Sequence, residues 1–180
     1  MYPDVILLNG TGSSGKTSLA KQLQELIPVQ YLNFSIDSIL YTLPPSDLKR
    51  MMAGGAIERD GYDYHQLTDG YHHCVGALLK AGCRVIIDNA WVHQDELDAL
   101  EDILSDFEVV RVKVQCRLDI CIHRELSRGD RAIGLAEWEY PLVHNYMKYD
   151  VVVDTSDISP KEAAAFLLVE LEKFNKSRSR

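Results

Sequence analysis

Apolar residues along the chain come in short runs separated by amphipathic stretches. Val5-Ile6-Leu7-Leu8 is a continuous apolar run closed by Asn9-Gly10, the pattern of a strand buried on both faces. Residues 16–27 set Leu19, Leu23, Leu26 and Ile27 at helical spacing, and Pro28 stops the helix. Residues 30–36 read as a second strand, and Pro44-Pro45 breaks the short helix expected over 38–42. The Gly- and acid-rich residues 53–63 read as a loop or loose hairpin, and 64–81 as a helix stopped by Gly82. Strands follow over 84–88, 108–115 and 150–154, and helices over 94–104, 118–128 and 160–174. Strands alternating with helices predict an α/β fold, a parallel sheet with helices on both faces. Ligands then sit beyond the carboxyl ends of the strands.

The length of 180 residues fits one domain, spanning 1–175, with 176–180 a frayed basic tail. The net charge of -8 speaks against a nucleic-acid partner. No apolar run reaches membrane-spanning length, and Met1-Tyr2-Pro3-Asp4 does not open a signal peptide. Cys74, Cys83, Cys116 and Cys121 lack C-x-x-C spacing and read as reduced thiols, so a cytoplasmic location is expected. His65, His72 and His73 lie on one predicted helix, where adjacent histidines point apart, which disfavours a metal site.

The strongest motif is Gly10-Thr11-Gly12-Ser13-Ser14-Gly15-Lys16-Thr17, a full G-x-x-x-x-G-K-[ST] phosphate loop between a predicted strand and a predicted helix. Its backbone N–H groups and the helix N-terminus suit phosphate oxygens, Lys16 the β- and γ-phosphates, and the Thr17 hydroxyl Mg²⁺. ATP and Mg²⁺ are therefore the expected cofactors. Asp88 ends an apolar strand and is the second candidate Mg²⁺ group. The N-K-x-D motif of a guanine-nucleotide switch is absent, as is the L-S-G-G-Q motif of a transporter ATPase. Arg124, Arg128 and Arg131 in R-E-L-S-R-G-D-R read as a lid over about 124–136 that stabilises charge on the transferred group. Asp37 follows the second strand, placed either to accept a hydroxyl proton or to cap the short helix. Trp91, beside the Asp88 strand end, is a candidate floor for an acceptor pocket, and tyrosines in 62–71 are candidates for stacking on an aromatic substrate.

These residues together resemble the chloramphenicol phosphotransferase family of phosphate-loop kinases. The resemblance runs over nearly the whole chain. It rests on Ile6-Leu7-Leu8-Asn9-Gly10 leading into Ser13-Ser14-Gly15-Lys16, on Phe34-x-x-Asp37-Ser38, and on Gly54-Gly55-Ala56-Ile57-Glu58. It continues through Ala81 to Asp88, Arg124-Glu125-x-x-Arg128-Gly129-Asp130-Arg131, Val143-His144, and Tyr149-Asp150-Val151-x-Val153-Asp154-Thr155. The resemblance implies a sheet of order 2-3-1-4-5 and ATP-dependent phosphorylation of chloramphenicol or a similar hydroxylated small molecule. It places the family's catalytic aspartate on Asp37 and its lid arginines on Arg128 and Arg131, with ATP lying between the lid and the loop at Thr155 and Ser156. Ser38, Asn89 and Trp91 are candidate acceptor contacts. Asn89 stands where the family often has a second acid, and segment 45–72 differs in composition, with Met51, Met52, Tyr62, Tyr64, His65, His72 and His73. The acceptor-pocket segment, about 37–72, is thus where another alcohol, such as a nucleoside or sugar derivative, would be selected. An ATP-binding regulatory or toxin-related module is the alternative from outside enzymology. A homo-oligomer remains open.

Overall fold

A computed structural model describes residues 2–55, 63–128 and 133–178. Five strands make one sheet: β1 (Val5–Asn9), β2 (Leu32–Ser35), β3 (Val85–Asn89), β4 (Val109–Gln115) and β5 (Val151–Asp154). All neighbouring pairs are parallel and the order is β2-β3-β1-β4-β5. This is the three-layer fold expected from the alternation of strands and helices. β1 is central, and all five of its residues are buried, which is why it is written as an unbroken apolar run.

Alternate residues of β1 feed two cores. Ile6 and Leu8 pack with Leu19 and Leu23 of α1 (Lys16–Leu26), with Val110, Val112 and Val153, and with Leu167 and Leu171 of α8 (Pro160–Arg178). Val5 and Leu7 face the other side. There they meet Tyr71, Val75 and Leu79 of α4 (Tyr64–Lys80) and Leu97, Leu100 and Leu104 of α5 (Gln94–Leu104). Each such leucine, taken fully out of water, stabilises the fold by about 1.5–3 kcal/mol. Among the described residues, no helix is long and apolar enough to cross a membrane.

Four local expectations change. The short helix ends at Leu40, ahead of Pro44-Pro45, and Pro45 in turn opens an unexpected helix, α3 (Pro45–Met52), with Pro44 as its N-cap. At the first helical position the missing N–H has no partner to lose and the fixed φ suits the helix. The short helix α2 (Ile36–Leu40) starts ahead of Asp37, with Ser35 as its N-cap, so Asp37 is not the cap. A further short helix, α7 (Leu135–Glu139), begins after Gly134 at φ 91°. α8 continues past 174 to Arg178, so the stretch read as a frayed tail is helical as far as it is described.

Candidate active site

The phosphate loop leaves β1 and enters α1 as the motif demands. Ser13 (φ 60°) and Gly15 (φ 97°) adopt left-handed backbone that curls the loop. Gly10 has a steric reason as well: a Cβ there would lie 2.4 Å from the carbonyl oxygen of Val114 on β4. Lys16 is buried, and its Nζ donates to the carbonyls of Gly10 (2.6 Å) and Thr11 (3.0 Å). The loop is tied from outside by Thr155, whose Oγ1 donates to Ser14 O at 2.5 Å.

Register brings the carboxylates to the loop. β3 pairs with β1 so that Asp88 lies opposite Leu8, and β2 pairs with β3 so that Ser35 lies opposite Asp88. The Thr17 hydroxyl donates to Asp88 Oδ2 at 3.0 Å. One hydroxyl and one carboxylate, side by side below a phosphate loop, form the oxygen donor set that Mg²⁺ takes alongside phosphate oxygens, so these two residues fit the ion. Asp37 follows β2 and faces the same cleft.

That cleft has a volume of about 410 Å³ and is lined by the loop, Asp37, Asp88, Asn89 and Arg128. Its apolar walls come from Leu40, Met51, Met52, Val92, Leu135 and Trp138. A second groove of about 510 Å³ lies on the other side of the loop, between α6 (Leu118–Arg128) and the segment after β5. Ser13, Gly15, Arg124, Arg128 and Thr155 border it, so Arg128 reaches both spaces. Arg124 is fixed by two contacts, Nη2 to Thr155 O (2.9 Å) and Nη1 to the Cys116 sulfur (3.4 Å). The Cys116 thiol is held below its ordinary pKa, first by a hydrogen bond from the Cys121 thiol and further by Thr155 and Arg124.

Several sequence candidates are placed differently from expectation. Trp91 does not floor the cleft. It is 2% exposed, and its Nε1 donates to His72 Nε2 at 3.3 Å inside the core. The cause is the backbone: Trp91 N donates to Asn9 Oδ1, which turns the indole inward while Ala90 and Val92 line the cleft. Ser38 is not among the lining residues; its hydroxyl accepts from Ser35 N at 3.3 Å and serves the start of α2. Asn89 does line the cleft, and its Nδ2 is buried without a hydrogen-bond partner among the described residues. Arg131, Tyr62 and Glu58 lie outside the described residues.

The structure also adds residues that the sequence reading missed. Glu139 Oε2 accepts from Gly12 N at 2.5 Å, which puts a buried carboxylate against the phosphate loop. Glu125, buried on α6, accepts from Gly134 N and Ala136 N (both 2.9 Å) and so fixes the start of the helix that carries Glu139. Glu96 and His93 complete the far wall beside Tyr64, one of the tyrosines already expected to face an acceptor. Although the Tyr64 side chain as a whole is half exposed, its phenol is pushed up to about 12, by desolvation first and then by the charges of Glu96, Glu139 and Asp37. No local pattern marks Glu139, because its contact spans 127 residues.

A family model described as chloramphenicol phosphotransferase-like protein matches residues 3–172. The chain belongs to that family. It is 31% identical to the Mycobacterium tuberculosis protein named "Putative O-phosphotransferase Rv2636", over 89% of this chain and 78% of that protein. Among solved structures it is similar to a gluconokinase from Sinorhizobium meliloti (TM-score 0.72, 16% identity, 99% and 97% of the two chains covered). It is similar also to the Mycobacterium tuberculosis APS kinase in complex with AMPPNP and APS (TM-score 0.68, 15% identity, 95% and 98% covered). These likenesses place the fold among phosphate-loop kinases, and the family makes the chain a phosphotransferase of that class.

Proposed function

We propose that the chain transfers the γ-phosphoryl group of MgATP to a hydroxyl of a small molecule. The observation that carries this reading is the convergence of the phosphate loop, the Thr17–Asp88 pair and Asp37 on one cleft. The nucleotide lies along the second groove, with its phosphates on backbone N–H groups of Ser13 and of Gly15 to Thr17 and its remainder between Arg124 and Thr155. Lys16 sets its positive charge against the β- and γ-phosphates. Thr17 and Asp88 would hold Mg²⁺, which when bound would supply further neutralisation of phosphate charge. Arg128, and Arg131 by the family resemblance, hold charge on the transferred group and exclude water. Asp37 orients the acceptor hydroxyl in line and takes its proton. Most of the rate then comes from positioning and electrostatics, as phosphoryl transfer requires.

The test is ADP release from MgATP with and without chloramphenicol, with mass spectrometry of the product. Asp37→Asn is expected to cut transfer about 10²–10⁴-fold while MgATP still binds. Full transfer by that variant would remove Asp37 from the mechanism.

A further inference from the structure

Asn9 closes β1, is fully buried, and directly precedes the first glycine of the phosphate loop. Its side chain uses both amide hydrogens and its carbonyl oxygen. Nδ2 donates to Val143 O at 2.8 Å and to the Tyr149 hydroxyl at 2.9 Å, and Oδ1 accepts from Trp91 N at 3.1 Å. The two backbone partners settle which end of the amide is which, because a carbonyl only accepts and an N–H only donates. They lie 134 and 82 residues along the chain from Asn9. One side chain thus joins the root of the phosphate loop to the turn after β3 and to the segment after α7.

Both segments carry walls of the cleft: Asp88, Asn89 and Ala90 at the end of β3, and Leu135, Trp138 and Glu139 on α7. Val143 N donates to Glu139 O, so Asn9 grips the chain one turn beyond α7, while Glu125 holds its start through Gly134 N and Ala136 N. The Tyr149 hydroxyl lies 2.8 Å from His144 Nδ1. With Asn9 donating to the phenol oxygen, the phenol hydrogen goes to that nitrogen, which needs a neutral imidazole. Burial, then the charges of Lys113 and Lys16, pushes the His144 pKa down to about 4, so the ring is neutral at neutral pH. Asn9 itself borders neither the cleft nor the nucleotide groove.

We propose that Asn9 is a positioning residue: through Trp91 and Val143 it sets the Asp88 end of β3 and the acceptor wall on α7 in one register with the phosphate loop, so that the acceptor hydroxyl meets the γ-phosphoryl group in line. This rests on the phosphotransferase reading and adds to it the side chain that aligns the two substrates. In a reaction whose rate comes from positioning, a misplacement of about 1 Å costs on the order of 10²-fold.

The test uses Asn9→Ala, which removes all three bonds, and Tyr149→Phe, which removes one and leaves Asn9 in place. Amide hydrogen exchange over 134–149, the MgATP dissociation constant and phosphorylated chloramphenicol formed per ADP released are measured, with rates taken per folded molecule by circular dichroism. In Asn9→Ala, exchange over 134–149 is expected to quicken and kcat to fall about 10²-fold. Product per ADP is expected to drop as water replaces a misaligned acceptor, while MgATP affinity stays near wild type. Tyr149→Phe is expected to move the same quantities less, and it carries the test if Asn9→Ala does not fold. A residue that only holds the fold together would lower the folded fraction and leave kcat and product per ADP at wild-type values in the molecules that remain folded; that result overturns the proposal. Unchanged exchange over 134–149 overturns it too. A wild-type protein that binds MgATP yet forms no product counts against the phosphotransferase reading with that acceptor, and the exchange comparison then decides the Asn9 tie by itself.

Discussion

The two sides of the cleft are built on different terms. On the phosphate side, polar groups are buried or half-buried and bonded to one another: Lys16 to Gly10 and Thr11, Thr155 to Ser14, and Arg124 to Thr155. On the acceptor side, large side chains stay half open, Tyr64 at 49% and Trp138 at 52% exposure. Phosphate is always the same shape, so fixed dipoles around it need no room to adapt. An acceptor wall made from the rims of α2, α3, α4 and α7 can change its side chains without disturbing the sheet. On the proposed function, chemistry and specificity are thereby separated in space.

The largest effect expected from breaking this contrast is at Lys16. Lys16→Ala should lower turnover by about 10³-fold or more, the scale seen when a cation that stabilises phosphoryl transfer is lost, as read by ADP release at saturating acceptor. If turnover stays near wild type, the loop is not the phosphate site. On the acceptor side the core beneath the open rim should matter more than the rim itself. Leu100 is fully buried, and Leu100→Ala should cost about 2–5 kcal/mol in a urea melt with an unchanged slope. A loss of a few tenths would show that this layer is loosely packed.

His72 gives a smaller, pH-dependent effect. Burial pushes its pKa down to about 4, and it must be neutral at Nε2 to accept from Trp91. The unfolded chain titrates near the ordinary value of about 6.5. Between those values the unfolded state binds a proton that the fold refuses. Stability is therefore complete above about pH 6.5 and falls as the pH drops toward 4, by on the order of 2–3 kcal/mol from this group. His72→Gln keeps an acceptor for the indole and should flatten that part of the profile; parallel acid profiles would remove His72 as a cause. The smallest effect is at Trp91→Phe, which removes the indole hydrogen bond for about 1 kcal/mol and should leave the acceptor KM alone. A large rise in KM would return Trp91 to the pocket.

Much of this was legible in the chain because the signals are contiguous. The phosphate loop is one octapeptide with its strand and helix attached, and each buried strand is a run of apolar residues with no competing reading. What was not legible depends on the backbone's exact turns. Trp91 sits three residues past Asp88, yet the bond from its N–H to Asn9 sends its ring into the core. Pro45 carries the composition of a breaker and the position of a helix start. Glu139 and Gly12 meet across the fold without any sequence spacing to announce them. Glu96 reads as one more acid on an amphipathic helix until the cleft is formed around it.

The central place of β1 also bears on how the protein is made. Its two neighbours begin at Val85 and Val109, so this apolar strand waits for partners synthesised about a hundred residues later. At a translation rate of about 5–20 residues per second, that interval is several seconds with both edges of the strand open. Nascent chains that stall before β4 would expose the segment with most to gain from pairing elsewhere. The phosphate loop thus leaves the ribosome well ahead of β4, the second strand that flanks its anchor.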